Sequence, residues 1–252
     1  MDLDPALAAL RPLGGFFVLR TAADPAAAAD APPGPGTGRP PTLAETYAGA
    51  APDALTARVD LVADRLRTAE PRVAASVAQQ GLAARLWSTA LGCAVLYGRT
   101  PDLDPRLLRW DPYASAPGDL CLTELRPLPG DAATLAATVL HGHLAPLAEA
   151  LRDRYGSAPG LLWGNAGSAL AAAARTLEDW ARAHGRTEAA ERTRALADGL
   201  FAHPLLRTTG TRSGAAFRRR SCCLYYRVPG GGVCGDCCFT RPPRSSPRAA
   251  SG

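Results

Sequence analysis

The sequence predicts a mainly α fold of the α+β class: a helical body with a few short strands and a small C-terminal four-cysteine hairpin module. Three observations lead there. Hydrophobic residues make up 47% of the chain, but Ala supplies much of that and aromatics only 6%. Ala is the best helix former and a poor strand former. Apolar residues recur at helical spacing between Pro, Gly and capping residues. Five of the seven cysteines fall in the last thirty-one residues, behind a cysteine-poor body. The expected organisation is an N-terminal strand and Ala/Pro/Gly-rich linker over 1–41, a helical body over 42–206, the cysteine module over 207–239 and a disordered tail over 240–252.

Gly14 to Arg20 (GGFFVLR) is predicted as a short strand, and Ala22 to Pro41 as a mobile linker or loop. Thr42 to Glu45 has the capping-box form, in which each side chain satisfies the other residue's free backbone donor, and should open a short helix. Asp53 to about Ala69 follows, with Leu55, Val59, Val62 and Leu66 on one face. Pro71 separates it from a helix over Val73 to Tyr97, expected to break near Gly81. Pro101 to Trp110 suggests a short helix after a turn, and Asp119 to Leu125 alternates like a strand. Asp131 caps a helix reaching about Tyr155, with a kink expected at Pro146. Leu161 to His184 is the longest strong helical pattern, and Thr187 to Phe201 follows it. CCLYYRV and VCGDCCF flank a turn from Pro229 to Gly232, which reads as a hairpin.

All 28 basic residues are Arg, and the net charge of +5 is uneven. From Arg207 onward nine Arg face one acid, Asp236, so the preceding 206 residues sum to about −3. Such a basic end suits an acidic protein, a phosphate or nucleic acid. Arg218, Arg219, Arg220 and Arg227 either dock a partner or offset negative charge locally. No apolar run approaches the ~20 residues of a spanning helix, and Met1-Asp2-Leu3-Asp4 is acidic where an export signal is basic. The expectation is a soluble, cytoplasmic protein without integral membrane association. No GxGxxG fingerprint stands in a strand–turn–helix context, and no Ser/His/Asp or carboxylate pair has catalytic spacing. His141 and His143 are two apart on a predicted helix and point away from each other.

The cysteines run Cys222-Cys223, ten residues, Cys234, two residues, Cys237, then Cys238. Disulfides, a structural zinc and an iron–sulfur cluster are the three possible explanations. Disulfides belong to oxidising compartments. Zinc prefers two Cys-x2-Cys knuckles, whereas here one pair is adjacent, and neighbours in an extended segment point to opposite faces. A [2Fe–2S] cluster has two separated irons, each taking two thiolates, which relaxes that constraint. Gly230, Gly231, Gly232 and Gly235 would let backbone amides approach the sulfurs, and Tyr225 and Tyr226 either cover the centre or pack in the core. Cys93 and Cys121 sit in apolar contexts and are expected in the core, as are Trp110 and Trp180.

The segment RRSCCLYYRVPGGGVCGDC resembles the [2Fe–2S] module of FhuF-like ferric-siderophore reductases, position by position. Trp163-Gly164-Asn165 is similar to that family's WGN motif, and Ala83 to Gly98 and Pro101 to Trp110 are more weakly similar to its members. The resemblance implies four cluster ligands, Cys222, Cys223, Cys234 and Cys237, with Cys238 a spare thiol. It implies a helical substrate-binding body, a ferric siderophore as substrate, one-electron reduction to Fe(II), and an external donor such as a ferredoxin or flavoprotein. Trp163 and Asn165 then either line the chelator pocket or serve as core residue and helix cap. The rival reading is a regulatory or nucleic-acid-binding protein with a zinc or iron–sulfur knob. No helix-turn-helix with a basic recognition helix supports it, and no nucleic-acid partner is expected.

Overall fold

The computed structural model describes residues 7–22, 39–49 and 54–243. Most of the expected linker and tail (23–38 and 244–252) lies outside the described residues. Strand β1 is only Arg20–Thr21. The rest of GGFFVLR is not strand, and Gly15 to Phe17 form a turn, a correction with a clear cause. Arg85 donates to the carbonyls of Gly15 at 3.0 Å and Phe16 at 2.7 Å, and binds Asp119 at 3.0 Å. Those carbonyls are therefore unavailable to a ladder.

The capping box forms as expected and opens α1, Leu43–Tyr47: Glu45 N–H donates to Thr42 Oγ1 at 3.2 Å and Thr42 N–H to Glu45 Oε2 at 2.7 Å. Helix α2 spans Ala54–Leu66 and buries Leu55 and Val59. Helix α3, Pro71–Tyr97, starts with Pro at its first turn, where a missing N–H has no cost. It runs unbroken through Gly81, because a single Gly weakens a helix without ending it and packing holds this one. Trp87 and Leu91 are fully buried, and Arg85 is 1% exposed. Each such Leu contributes roughly 1.5–3 kcal/mol by leaving water.

Residues 101–110 are not helical. Strand β2 is Arg99–Pro101 and β3 is Leu108–Trp110, joined by a turn in which Arg106 N–H donates to Asp104 Oδ1 at 2.8 Å. Leu108 and Trp110 are buried while Arg109 faces outward, a period of two rather than 3.6. Strand β4, Leu120–Leu122, pairs antiparallel with β3 and parallel with β1, and β5, Pro127–Pro129, pairs antiparallel with β2.

Asp131 caps α4, Ala132–Leu135, its Oδ1 accepting from Thr134 N–H at 2.8 Å. The ladder then widens into a π segment over Ala136–Leu144, where Ala145 N–H reaches back to Leu140. Helix α5, Ala145–Tyr155, carries Pro146 in its first turn. The irregularity thus precedes Pro146, which starts a new α ladder and needs no donor there. Helices α6, Pro159–Ala183, and α7, Thr187–Phe201, complete the body. Helix α6 packs chiefly on α3 and α7, and on its remaining side meets a hairpin of β6, Gly210–Ser213, and β7, Ala216–Arg219. This hairpin delivers the chain to the cysteines. Among the described residues no helix is long and apolar enough to cross a membrane.

Candidate metal centre

Residues 220–239 contain no strand, so the expected hairpin lies earlier, at β6–β7. The backbone turns too often for a ladder. Leu224 has φ +67° and Gly230 φ +72°, and a 3-10 turn spans Tyr225–Arg227. Gly231 is required by crowding, since a Cβ there would stand 2.5 Å from the Tyr225 oxygen. The amides that reach sulfur are not the expected glycine ones. Leu224 N–H donates to Cys222 Sγ at 3.2 Å, and Phe239 N–H to Cys237 Sγ at 3.4 Å. In each case the donor lies two residues beyond its cysteine.

These turns gather all five thiols. The sulfurs of Cys222, Cys237 and Cys238 lie within 4.8 Å of one another, and Cys223 and Cys234 share a hydrogen bond at 3.6 Å. The arrangement is two neighbouring groups of thiols, one of Cys222, Cys237 and Cys238, the other of Cys223 and Cys234. Burial pushes the Cys222 thiol up to about 11, and the adjacent thiols add to the rise. Cys223 is lowered to about 6, first by its hydrogen bond with Cys234, with Arg219 acting in the same direction. Cys234 is raised by that same bond and Cys238 by burial. Crowded thiolates repel, and a metal centre that takes them as ligands removes the conflict.

Helix α6 holds the module through the WGN stretch. Trp163 lines the pocket described below. Gly164 has no side chain because a Cβ there would overlap Ser221 Oγ, which donates to the Gly160 carbonyl at 2.6 Å. Asn165 is mid-helix and fully buried, so it is neither a cap nor a pocket wall. Its Nδ2 donates to Ser76 O and Oγ, each at 3.0 Å, and its Oδ1 accepts from Arg219 Nη1. Ser76 Oγ in turn donates to the Cys223 carbonyl at 2.8 Å. Asp236, between Cys234 and Cys237, accepts from Ser168 Oγ at 2.5 Å and pairs with Arg175 at 3.3 Å, while its carbonyl accepts from Arg219 N–H at 2.9 Å.

The other expected residues are dispersed. Cys93 is fully buried, and burial pushes its thiol up to about 12. Cys121, expected in the core, is only half-buried on the outward position of β4. Trp110 is buried; Trp180 is half-buried and stacks on His184. His141 meets His203 and His143 meets Tyr47, so they share nothing. Tyr225 is exposed, and Tyr226 meets Phe239 edge-on at 6.0 Å. Of the four arginines, Arg227 pairs with Glu70 at 2.8 Å and Arg219 is buried, while Arg218 and Arg220 remain exposed. Ser76 and the interior place of Arg219 carry no sequence signal beyond the Arg run itself.

An open pocket of about 280 Å³ is lined by Trp163, Leu205, Thr208, Arg220 and Ser221 among others, and Ser221 precedes Cys222 in the chain. Among the described residues no carboxylate lines it.

The residues present fit a two-iron cluster. They offer two neighbouring thiol groups for two irons, amides directed at sulfur, and a buried guanidinium whose Nε and Nη2 have no partner among the described residues. Comparison with curated proteins finds no match. Comparison with protein families finds two. Residues 123–215 match the family described as "Ferric iron reductase FhuF-like transporter", and residues 219–239 match "FhuF 2Fe-2S C-terminal domain". Residues 123–239 thus match the models of the FhuF-like ferric iron reductase family and of its [2Fe–2S] C-terminal domain, the cofactor that the clustered thiols suit.

Proposed function

We propose that the protein is a cytosolic ferric-siderophore reductase whose cluster thiolates are Cys222, Cys223, Cys234 and Cys237. The observation that carries this reading is the open pocket lined by Ser221, the residue that precedes Cys222 in the chain. When bound, the [2Fe–2S] group supplies a one-electron relay. The donor, a ferredoxin or flavoprotein, loses one electron, and Fe(III) in the chelate becomes Fe(II). No covalent bond of the chelator breaks. Its oxygens hold Fe(II) weakly and take protons from water as the ion leaves. No acid–base residue of the chain is required.

Cys237 is preferred to Cys238 because its sulfur accepts the Phe239 amide and its side chain is buried. The chain's other residues bind and orient. Trp163 and Leu205 form an apolar wall, Thr208 and Ser221 add hydroxyls, and Arg220 is the cation of the pocket. With Arg220 and no carboxylate among its described lining residues, the pocket favours neutral or anionic ferric chelates over cationic ones. Exposed Arg218, whose Nη2 donates to the Cys238 carbonyl at 3.2 Å, offers a docking charge for an acidic donor. Reduced thiols held for a metal suit a reducing compartment.

The test is the rate at which pre-reduced protein is re-oxidised by ferric chelates under anaerobic conditions. Trp163→Ala and Arg220→Gln should slow re-oxidation by an anionic ferric chelate at least tenfold, yet leave re-oxidation by ferricyanide unchanged. Equal rates for wild type and both variants would remove the substrate from this pocket.

A further inference from the structure

Among the described residues, Arg219 is a buried cation that pairs with no carboxylate. It ends β7, where alternation turns Phe217 and Arg219 inward, and it is 2% exposed. Its Nη1 donates to Asn165 Oδ1, a neutral acceptor. Its Nε and Nη2 are buried with no hydrogen-bond partner among the described residues. The nearby acid does not serve it, because the Asp236 carboxylate is engaged by Ser168 and Arg175. A buried charge left in this state is strongly unfavourable unless an anion completes the site.

The cysteine loops are tied to Arg219 at its backbone and, through Asn165, at its guanidinium. On one side the Arg219 amide binds Asp236, which sits between Cys234 and Cys237. On the other, Asn165 and Ser76 lead to the Cys223 carbonyl. A [2Fe–2S] core with four thiolates carries two net negative charges when oxidised and three after one electron is added. No proton is needed to balance that step if a fixed cation is present.

We propose that Arg219 is the cluster's built-in counter-cation: its free Nε and Nη2 donate to sulfurs on the Cys223–Cys234 side and stabilise the reduced form over the oxidised form. Asn165 is the positioning residue that aims it. The WGN asparagine thereby acts on the electron carrier and not on the chelate. The inference rests on the cluster and not on the substrate, so a failed chelate assay leaves it standing.

The experiment is a dye-equilibrated redox titration of the anaerobically purified full chain, with iron content and the electron paramagnetic resonance spectrum of the reduced state. Arg219→Gln should retain iron but lower the equilibrium constant for reduction at least tenfold, about 59 mV for a one-electron couple. Arg219→Lys should recover part of the loss, since it restores charge without the planar fork. Asn165→Asp should also lower the potential by partly neutralising the guanidinium, and the reduced spectrum should change in all three. If Arg219→Gln fails to hold iron, Arg219→Lys and Asn165→Asp decide. Unchanged potentials and spectra in the iron-loaded variants would make Arg219 merely structural and overturn the proposal, as would a zinc-bound, colourless wild type.

Discussion

The Ser76 hydroxyl in helix α3 donates to the Cys223 backbone carbonyl at 2.8 Å, and its oxygen accepts from Asn165 Nδ2 at 3.0 Å. The central helix of the body is thereby fastened to the cysteine loop, 147 residues further along the chain. Ser76 is fully buried. Ser76→Ala leaves both partners short of a bond, at a cost of about 1–3 kcal/mol. The expected outcome is faster loss of iron to an external chelator, measured by bleaching of visible absorbance, with the far-ultraviolet helical signal retained.

Gly164 and Ser221 make a second fastening. A Cβ at 164 has to displace Ser221 Oγ from the Gly160 carbonyl. Gly164→Ala should therefore reduce iron retention, and the double variant Gly164→Ala/Ser221→Ala should restore most of it. A double-mutant cycle in iron content measures that coupling.

The ligand set gives a third prediction. Cys222→Ser, Cys223→Ser, Cys234→Ser and Cys237→Ser should each lose or visibly alter the cluster, whereas Cys238→Ser should retain its absorbance. Cys238 lies within 4.8 Å of Cys222 and Cys237, so the contrast between Cys237→Ser and Cys238→Ser is the sharpest part of the series. Iron and sulfide analysis together with visible spectra decide it.

The fourth concerns pH and the helical body. His143 is buried between the Tyr47 hydroxyl at 3.0 Å and the Leu103 carbonyl at 2.5 Å. Burial lowers its pKa to about 4, against a small opposing pull from the Leu103 carbonyl and Asp104. The unfolded chain thus binds this proton first as pH falls. Stability is full above about 6.5 and declines toward pH 4, by up to roughly 3 kcal/mol. Urea midpoints followed by circular dichroism at several pH values should show this decline, and His143→Gln should flatten it.

The long helices were legible because their cues are local. Thr42 and Glu45 form the capping box they spell, and Thr187 to Phe201 matches its helix end to end. The strands around residue 105 were not, because short segments with one buried face read alike at periods of two and 3.6. The cysteine segment was legible as chemistry but not as shape. Its spacing announced a metal centre, while Leu224 in the left-handed region and the amide–sulfur turns removed the expected hairpin. Asn165 illustrates the remaining gap. Its partners, Ser76 and Arg219, lie 89 and 54 residues away, and no spacing rule joins them.

The most direct test of the central claim is a single-turnover stoichiometry. Protein reduced by one electron is mixed anaerobically with excess ferric chelate, and Fe(II) is captured by a colorimetric trap while visible absorbance is followed. The account predicts one Fe(II) per reduced protein, appearing as the oxidised absorbance returns. Protein that remains reduced in the presence of every ferric chelate tried, or that carries one zinc and no colour, would contradict it.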